Sequence, residues 1–271
     1  MPALAVPAQA HAATPAGTDG WMRLGHLAPN TPAVDIYLSQ FGQPQKVAFR
    51  KAGYGNVTPY SALPPGLYTV SMRPASAPAS SPPALSADVQ VKADTTNTLL
   101  VFQNGPNGTI RGQMFTDDLA APPSGSGRVR VVQGAPEPDP MDVSAADNGP
   151  VLASGLKYGD AGDYVTVPQG RLNLTLRHGT TSTPVTLDVR SASVSTVVVL
   201  AKPGGALALS ELRDATGVAN APSGGAATGG GGTAPLPFPL VPALFVGLVV
   251  GILGVMTGRR SGSRPGRGAR A

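Results

Sequence analysis

The stretch Arg23-Leu-Gly-His-Leu-Ala-Pro-Asn-Thr-Pro-Ala-Val-Asp35-Ile36 decides the fold, because a related stretch follows 107 residues later. That second stretch is Arg130-Val-Val-Gln-Gly-Ala-Pro-Glu-Pro-Asp-Pro-Met-Asp142-Val143. An arginine, an Ala-Pro dipeptide and an aspartate recur in the same order. Self-similarity at a fixed spacing indicates that one structural unit is built twice. The sequence therefore predicts two tandem domains of similar structure.

Further matches extend the repeat towards the C-terminus. At a spacing of 104 residues, the second unit repeats the first at Tyr54-Gly55, Tyr60, Pro64, Gly66 and Arg73. The repeated positions that we single out are Arg23, His26, Pro29, Asp35, Tyr54, Tyr60 and Gly66 in the first unit, and Arg130, Pro136, Asp142, Tyr158, Tyr164 and Gly170 in the second. His26 has Gln133 as its counterpart.

Each unit has the patterns of β-structure. Residues 34–38 alternate apolar and polar side chains, which is typical of a half-buried strand. The continuous apolar runs at 99–102 and 197–200 predict strands that are buried on both faces. Units of about 100 residues with many short strands predict an all-β fold of two tandem immunoglobulin-like β-sandwich domains.

A C-terminal segment, residues 235–258, contains no charged residue. It is long enough to cross roughly 30 Å of hydrocarbon as one helix, which needs about 20 apolar residues. We therefore predict a single transmembrane helix, with the lipid bilayer as a partner. Residues 236–240 (LPFPL) raise the alternative of a sortase-processed wall protein, but this stretch lacks the Thr-Gly at which cleavage would occur.

The tail after this segment predicts the orientation in the membrane. Arg259 and Arg260 begin a tail that contains five arginines and no acidic residue. Short basic flanks stay in the cytoplasm, so we expect the N-terminal part outside. The whole chain has 20 basic and 15 acidic residues, a net charge of +5, and the tail accounts for all of it. The excess charge therefore does not indicate a nucleic-acid partner.

The predicted organisation follows from these segments. We expect a truncated signal peptide or disordered leader at 1–20, domains at 21–120 and 128–217 joined by a linker at 121–127, a Gly/Ala-rich flexible stalk at 218–234, the transmembrane helix at 235–258 and a basic cytoplasmic tail at 259–271. The leader has an Ala-x-Ala cleavage pattern but no basic start. The chain contains no cysteine, which excludes thiol chemistry and disulfides.

These repeated motifs resemble the bacterial family of domain of unknown function 4397. The resemblance rests on residues 23–38 and on the segment from Tyr54 to Arg73, and the second unit fits it more loosely. It implies exported, often tandem β-sandwich domains on bacterial surfaces. It implies no catalytic residue and no cofactor, because the family has no established activity.

The polar residues of the motif have two alternative interpretations. His26 and Asp35 could form an acid–base pair, which would make the first domain a hydrolase-type enzyme. We favour instead a histidine whose ring bonds nearby backbone, and aspartates at 35 and 142 that accept backbone N–H bonds and lock the turn. A calcium site is a weaker alternative, because only Asp117, Asp118 and Asp139 could join one.

The remaining repeated residues indicate structural roles. Gly66 and Gly170 follow a proline by two positions, which predicts a turn with positive φ at each glycine. Tyr60 and Tyr164 precede them by six residues, and we expect their hydroxyls to tie down a strand corner. Because the repeat shares no reactive set, the sequence predicts a non-catalytic surface protein without cofactor or metal. Its expected partner is a cell-wall polymer or a surface protein, and a signalling receptor is disfavoured by the short tail.

Overall fold

The computed structural model describes residues 18–104, 109–146 and 148–216. Among these residues there is no helix with the length and apolar character needed to cross a bilayer. The predicted transmembrane helix at 235–258, the stalk and the basic tail all lie outside the described residues, as does the leader up to residue 17. The described residues form seventeen β-strands and no helix, so the all-β prediction is confirmed.

Nine of the strands belong to the first repeat. They are β1 (Gly20–Leu27), β2 (Val34–Gln40), β3 (Lys46–Ala52), β4 (Asn56–Val57), β5 (Ser61–Leu63), β6 (Gly66–Pro74), β7 (Leu85–Val91), β8 (Thr96–Asn104) and β9 (Thr109–Thr116). Eight strands belong to the second repeat. They are β10 (Ser126–Gln133), β11 (Met141–Ala145), β12 (Val151–Leu156), β13 (Val165–Pro168), β14 (Gly170–His178), β15 (Thr181–Val189), β16 (Ser193–Ala201) and β17 (Leu207–Thr216).

Each repeat forms two sheets, which we call inner and outer. In the first repeat the inner sheet has the order β4-β1-β8-β9, with β5 also paired to β1, and the outer sheet has the order β3-β2-β6-β7. In the second repeat the inner sheet is β13-β10-β16-β17 and the outer sheet is β12-β11-β14-β15. Each pair of sheets encloses its own hydrophobic cluster, as layered β-folds require.

The centre of each inner sheet is a parallel strand pair, β1 with β8 and β10 with β16. Successive side chains of a strand point to opposite faces. In β8, Leu99 and Val101 therefore join the cluster of the first repeat, whereas Leu100 and Phe102 point away from it. These strands are buried on both faces, as their continuous apolar runs predict.

A third hydrophobic cluster explains what covers the far face of each inner sheet. It combines Leu27, Leu100 and Phe102 of the first repeat with Val132 and Val198 of the second. The two inner sheets therefore pack against each other, and the four sheets are held in one compact unit. This packing positions the polar residues of the repeated motif between the repeats.

The glycine prediction holds for only one of the two repeats. Gly170 begins β14 with a φ of +113°, in the left-handed region that favours glycine. Gly66 begins β6, but it is not among the residues with positive φ, so the prediction for Gly66 is wrong. A Cβ at position 66 would lie 3.0 Å from Nε2 of Gln40, the movable end of a flexible side chain.

A strained alanine in the second repeat offers a stability test. Ala192 precedes β16 with a φ of +54°, a conformation that costs an L-residue about 1–2 kcal/mol. Glycine adopts this φ without strain but has more entropy to lose on folding. We therefore expect Ala192→Gly to raise the free energy of unfolding by about 0.5 kcal/mol, measured by urea denaturation. The same change at Ala208, whose strand conformation suits alanine, should lower it.

Candidate functional site: a buried charge network between the repeats

The arginine that opens each repeated motif reaches across to the other repeat. Arg23, on β1 of the first repeat, forms an ion pair of 2.7 Å with Asp214 on β17 of the second. Arg130, on β10 of the second repeat, forms one of 2.5 Å with Asp117, which directly follows β9 of the first. The side chains of all four residues are at most 4% exposed. The two repeats therefore exchange buried ion pairs reciprocally.

Hydroxyl groups satisfy the aspartates within each repeat. Asp117 accepts hydrogen bonds from the hydroxyls of Thr98 (2.6 Å) and Tyr60 (2.7 Å). Nε of Arg23 donates to the same threonine at 2.7 Å, and its guanidinium lies 4.4 Å from the centre of the Tyr60 ring. A buried carboxylate needs several such donors to offset the loss of water.

The second repeat reproduces this arrangement. Asp214 accepts hydrogen bonds from Thr196 (2.7 Å) and Tyr164 (2.6 Å). Nε of Arg130 donates to Thr196 at 3.2 Å, and its guanidinium lies 4.6 Å from the centre of the Tyr164 ring. The eight groups form one polar network with two cations and two anions, and we call it the buried charge network.

Burial and neighbouring charges shift the pKa values of the arginines and tyrosines of the network. Burial is the largest single influence on Arg23 and by itself would lower its pKa, but the interactions with Asp214 and the other groups of the network together outweigh it and hold the pKa above its ordinary value. For Arg130, burial would again lower the pKa, but the interactions with Tyr164, Asp117 and Asp214 together outweigh it and raise the pKa. Burial raises the pKa of both Tyr60 and Tyr164, so their hydroxyls stay protonated as donors. These shifts favour charged arginines and protonated tyrosine hydroxyls, which are the forms that donate hydrogen bonds in the network.

A second pair of repeated tyrosines makes reciprocal backbone contacts. The Tyr54 hydroxyl donates to the carbonyl of Gly134 and accepts from the N–H of Ala201, both at 2.9 Å and both in the second repeat. The Tyr158 hydroxyl donates to the carbonyl of Leu27 at 2.8 Å and accepts from the N–H of Gln103 at 3.0 Å, both in the first repeat. Each tyrosine therefore satisfies two backbone groups of the opposite repeat.

His26 does not make the backbone contact that the sequence suggests. Its side chain is fully buried, and neither ring nitrogen has a hydrogen-bond partner among the described residues. The predicted bond from the ring to nearby backbone is therefore wrong, and among the described residues no hydrogen bond joins His26 to Asp35. Gln133, its counterpart, does bond to backbone, donating to the carbonyl of Pro138 at 2.9 Å.

The burial of His26 predicts that folding stability depends on pH, and replacing His26 with glutamine should remove this dependence. Burial lowers the pKa of His26 below its ordinary value near 6.5. Below about pH 6.5 the unfolded chain takes up a proton that the folded chain does not, so stability is lost as the pH falls. The loss is at most about 1.4 kcal/mol for each pH unit down to the folded-state pKa. We expect His26→Gln to remove this slope in urea titrations between pH 7 and 5, and an unchanged slope would contradict it.

The repeated aspartates hold neighbouring strands rather than the preceding turn. Asp35 accepts the N–H of Lys51 at 2.7 Å, and Asp142 accepts the N–H of Gly155 at 2.7 Å. Lys51 and Gly155 both have positive φ, at irregularities in the pairing of β3 and β12. The aspartates therefore fix a bulge in each edge strand. Pro29 and Pro136, which the sequence singles out beside them, lie in the loops after β1 and β10.

Half of the buried charge network is not predicted from the sequence. Thr98, Thr196 and Asp214 draw no attention as site residues, and Asp117 enters only as a calcium candidate. Within the described residues, no group of three His, Cys, Asp or Glu side chains could hold a metal ion. A signal exists in the spacing, because the threonines recur 98 residues apart and the aspartates 97 residues apart.

Fold and network together define a class: an all-β protein of two repeats that close on each other through reciprocal buried contacts. The chain belongs to the family called domain of unknown function (DUF4397), whose profile matches residues 20–144 and 127–226 in two overlapping copies. No curated protein matches the chain.

Among solved structures, the chain is similar to the Bacillus anthracis TIE protein, at 10% sequence identity and a TM-score of 0.23. The similarity covers 72% of this chain and 44% of that protein's chain. The chain therefore spans less than half the length of this structural relative.

Proposed function

We propose that the chain is a membrane-anchored protein of the bacterial cell envelope whose folded repeats have a non-catalytic role in binding, adhesion or spacing. The observation that carries this proposal is the burial of the repeated charged side chains between the two repeats. Arginines 23 and 130 and their aspartate partners are buried and form ion pairs with each other between the repeats. Their chemistry stabilises the fold and is not presented to a substrate.

The packing of the inner sheets supports a role as a spacer or display module. In this proposal, two sandwich domains of immunoglobulin-like size act as one stiff body, because ion pairs, tyrosine contacts and an apolar cluster join them. The residues at 218–234 then act as a flexible stalk, and 235–258 as the anchor. A cell-wall polymer or a surface protein is the partner that this location offers.

Cysteine labelling tests the anchor and its orientation, because the chain has no native cysteine. Ser223→Cys places one thiol in the proposed stalk, and Ser261→Cys places a matched thiol in the proposed cytoplasmic tail. In intact cells, a membrane-impermeant maleimide should label the first variant only. After the membrane is permeabilised, it should label both. Equal labelling of the two variants in intact cells would contradict the proposed topology.

Binding to the envelope distinguishes adhesion from spacing. Purified full-length chain is incubated with isolated cell-wall sacculi, which are then collected by centrifugation. Saturable co-sedimentation identifies a wall polymer as the partner. A chain that stays in the supernatant at all concentrations favours a spacer, provided that the labelling experiment places it at the surface.

A further inference from the structure

Arginine side chains are buried at three places among the described residues, and only two of them have an anionic partner. Arg23 and Arg130 pair with aspartates in the buried charge network. The third is Arg73, near the end of β6 in the outer sheet of the first repeat. It is 7% exposed, and no ion pair joins it to another described residue. A buried cation without an anion is costly, because its charge has lost the solvation of water.

The carboxylate that lies across from Arg73 is engaged elsewhere. Asp35 is directly opposite Arg73 in the pairing of β2 with β6. Its Oδ1 accepts the N–H of Lys51 at 2.7 Å, and its Oδ2 lies 3.7 Å from Nη1 of Arg50, with both partners on β3. Arg50 therefore compensates the charge of Asp35, and the charge of Arg73 is left over.

The outer end of the Arg73 guanidinium has donors that are not used. Nε donates to the carbonyl of Ser81 at 2.8 Å, and the guanidinium lies 4.9 Å from the centre of the Tyr37 ring. Neither Nη1 nor Nη2 has a hydrogen-bond partner among the described residues, and Nη1 is buried. Two N–H groups side by side on a planar guanidinium match the two oxygens of a carboxylate or a phosphate.

The loop that covers Arg73 is found in the first repeat and not in the second. This covering loop, residues 75–84, contains no charged residue and is bonded to the neighbouring strands at both ends. Between these ends, the carbonyl of Ser81 bonds to Arg73. In the second repeat only residues 179–180 connect β14 and β15, and Arg177, the counterpart of Arg73, is exposed. The surroundings of Arg73 have a lower dielectric constant than those of Arg177, which strengthens an ionic contact.

We propose that Arg73 anchors an anion-binding site beneath the covering loop, and that its ligand carries a carboxylate or phosphate group. Two oxygens of the ligand accept hydrogen bonds from Nη1 and Nη2, while Nε keeps its bond to Ser81. The ligand supplies the negative charge that no described carboxylate gives to Arg73. Because Nη1 is buried, the central part of the loop moves aside when the ligand enters. The site does not depend on the proposed membrane anchor or wall partner.

Thermal unfolding of the full-length chain tests the site, with inorganic phosphate and acetate as separate probes. An anion that binds only the folded chain raises the unfolding midpoint. We expect about 50 mM phosphate to raise it by about 5 °C relative to sodium chloride at equal ionic strength, which corresponds to an affinity of about 1 mM. A rise with one anion alone identifies the group that the site prefers. No rise with either anion would overturn the proposal.

Variants separate this site from general salt effects, because phosphate also stabilises proteins through its exclusion from their surface. Arg73→Gln should remove most of the rise, whereas Arg177→Gln, at the exposed counterpart, should keep all of it. Replacing residues 75–84 with the Gly-Thr turn of the second repeat keeps Arg73 but exposes it, and should remove the rise as well. Circular dichroism shows which variants fold. An equal rise in the Arg177→Gln chain and in a folded variant of either other kind would overturn the proposal.

Discussion

Asp214→Asn is expected to lower the free energy of unfolding by about 3–5 kcal/mol, because it removes one member of a buried ion pair and leaves the other. Arg23 lies 2.7 Å from this carboxylate, and both side chains are at most 3% exposed. Asparagine has a size similar to that of aspartate, so the lost stability reflects the removed charge rather than changed packing. The hydroxyls of Thr196 and Tyr164 would also lose their anionic acceptor.

The measurement is urea denaturation of the full-length chain, followed by tryptophan fluorescence and circular dichroism. Asp118→Asn is the matched control, because Asp118 pairs with Arg128 at 2.6 Å but is 59% exposed. Exposed pairs are worth at most about 1 kcal/mol, so this variant should lose little. Equal losses in the two variants would contradict the role of the buried charge network. Replacing both Arg23 and Asp214 with apolar residues should recover part of the lost stability.

Phe102→Ala is expected to cost about 3–5 kcal/mol, which is typical of a buried phenylalanine truncated to alanine. Phe102 is fully buried in the cluster between the repeats, and its ring packs edge-to-face on Tyr158 at a centroid distance of 5.4 Å. Removing the ring leaves a cavity between two rigid sheets that cannot collapse easily. Arg111, whose guanidinium lies 5.3 Å from the ring centre, would lose its aromatic contact as well.

The same substitution on the surface provides the control. Phe41 is 81% exposed, so Phe41→Ala should change the free energy of unfolding by less than about 0.5 kcal/mol. Thermal unfolding should show one transition in the unchanged chain, since the inner sheets bury each other. A Phe102→Ala chain that unfolds with unchanged midpoint would contradict a cooperative inter-repeat core.

The sequence is sufficient to predict the strands and their burial, and the structure shows why. Period-two alternation and apolar runs depend on which faces are covered, and residues 99–102 are covered on both. No pattern identifies the covering surface, however. The sequence pattern at Leu100 and Phe102 would be the same if a ligand, a helix or a second chain covered these side chains.

The buried charge network is harder to predict from the sequence than the strands are, for a physical reason. Arg23 and Asp214 are 191 residues apart. A single sequence does not indicate that two charged residues so far apart are buried against each other. Arginine and aspartate are ordinarily exposed, so the simplest interpretation of each is a surface residue. Tyr60 does use its hydroxyl as an anchor, but its acceptor is a carboxylate 57 residues away. His26 shows the opposite error, because the sequence predicts a backbone partner for a ring whose nitrogens have none among the described residues.

The reciprocity of the inter-repeat contacts has a consequence for how the chain can be reordered. Tyr54 and Tyr158 donate to equivalent carbonyls of each other's repeat, and the two ion pairs are exchanged in the same way. A contact made twice by equivalent groups has the symmetry of a two-fold dimer and does not distinguish its two members. A permuted gene that encodes the second repeat before the first would therefore preserve every one of these contacts. The geometry is that of a duplicated and fused homodimer, in which only the connection from Asp117 to Ser126 fixes which copy comes first.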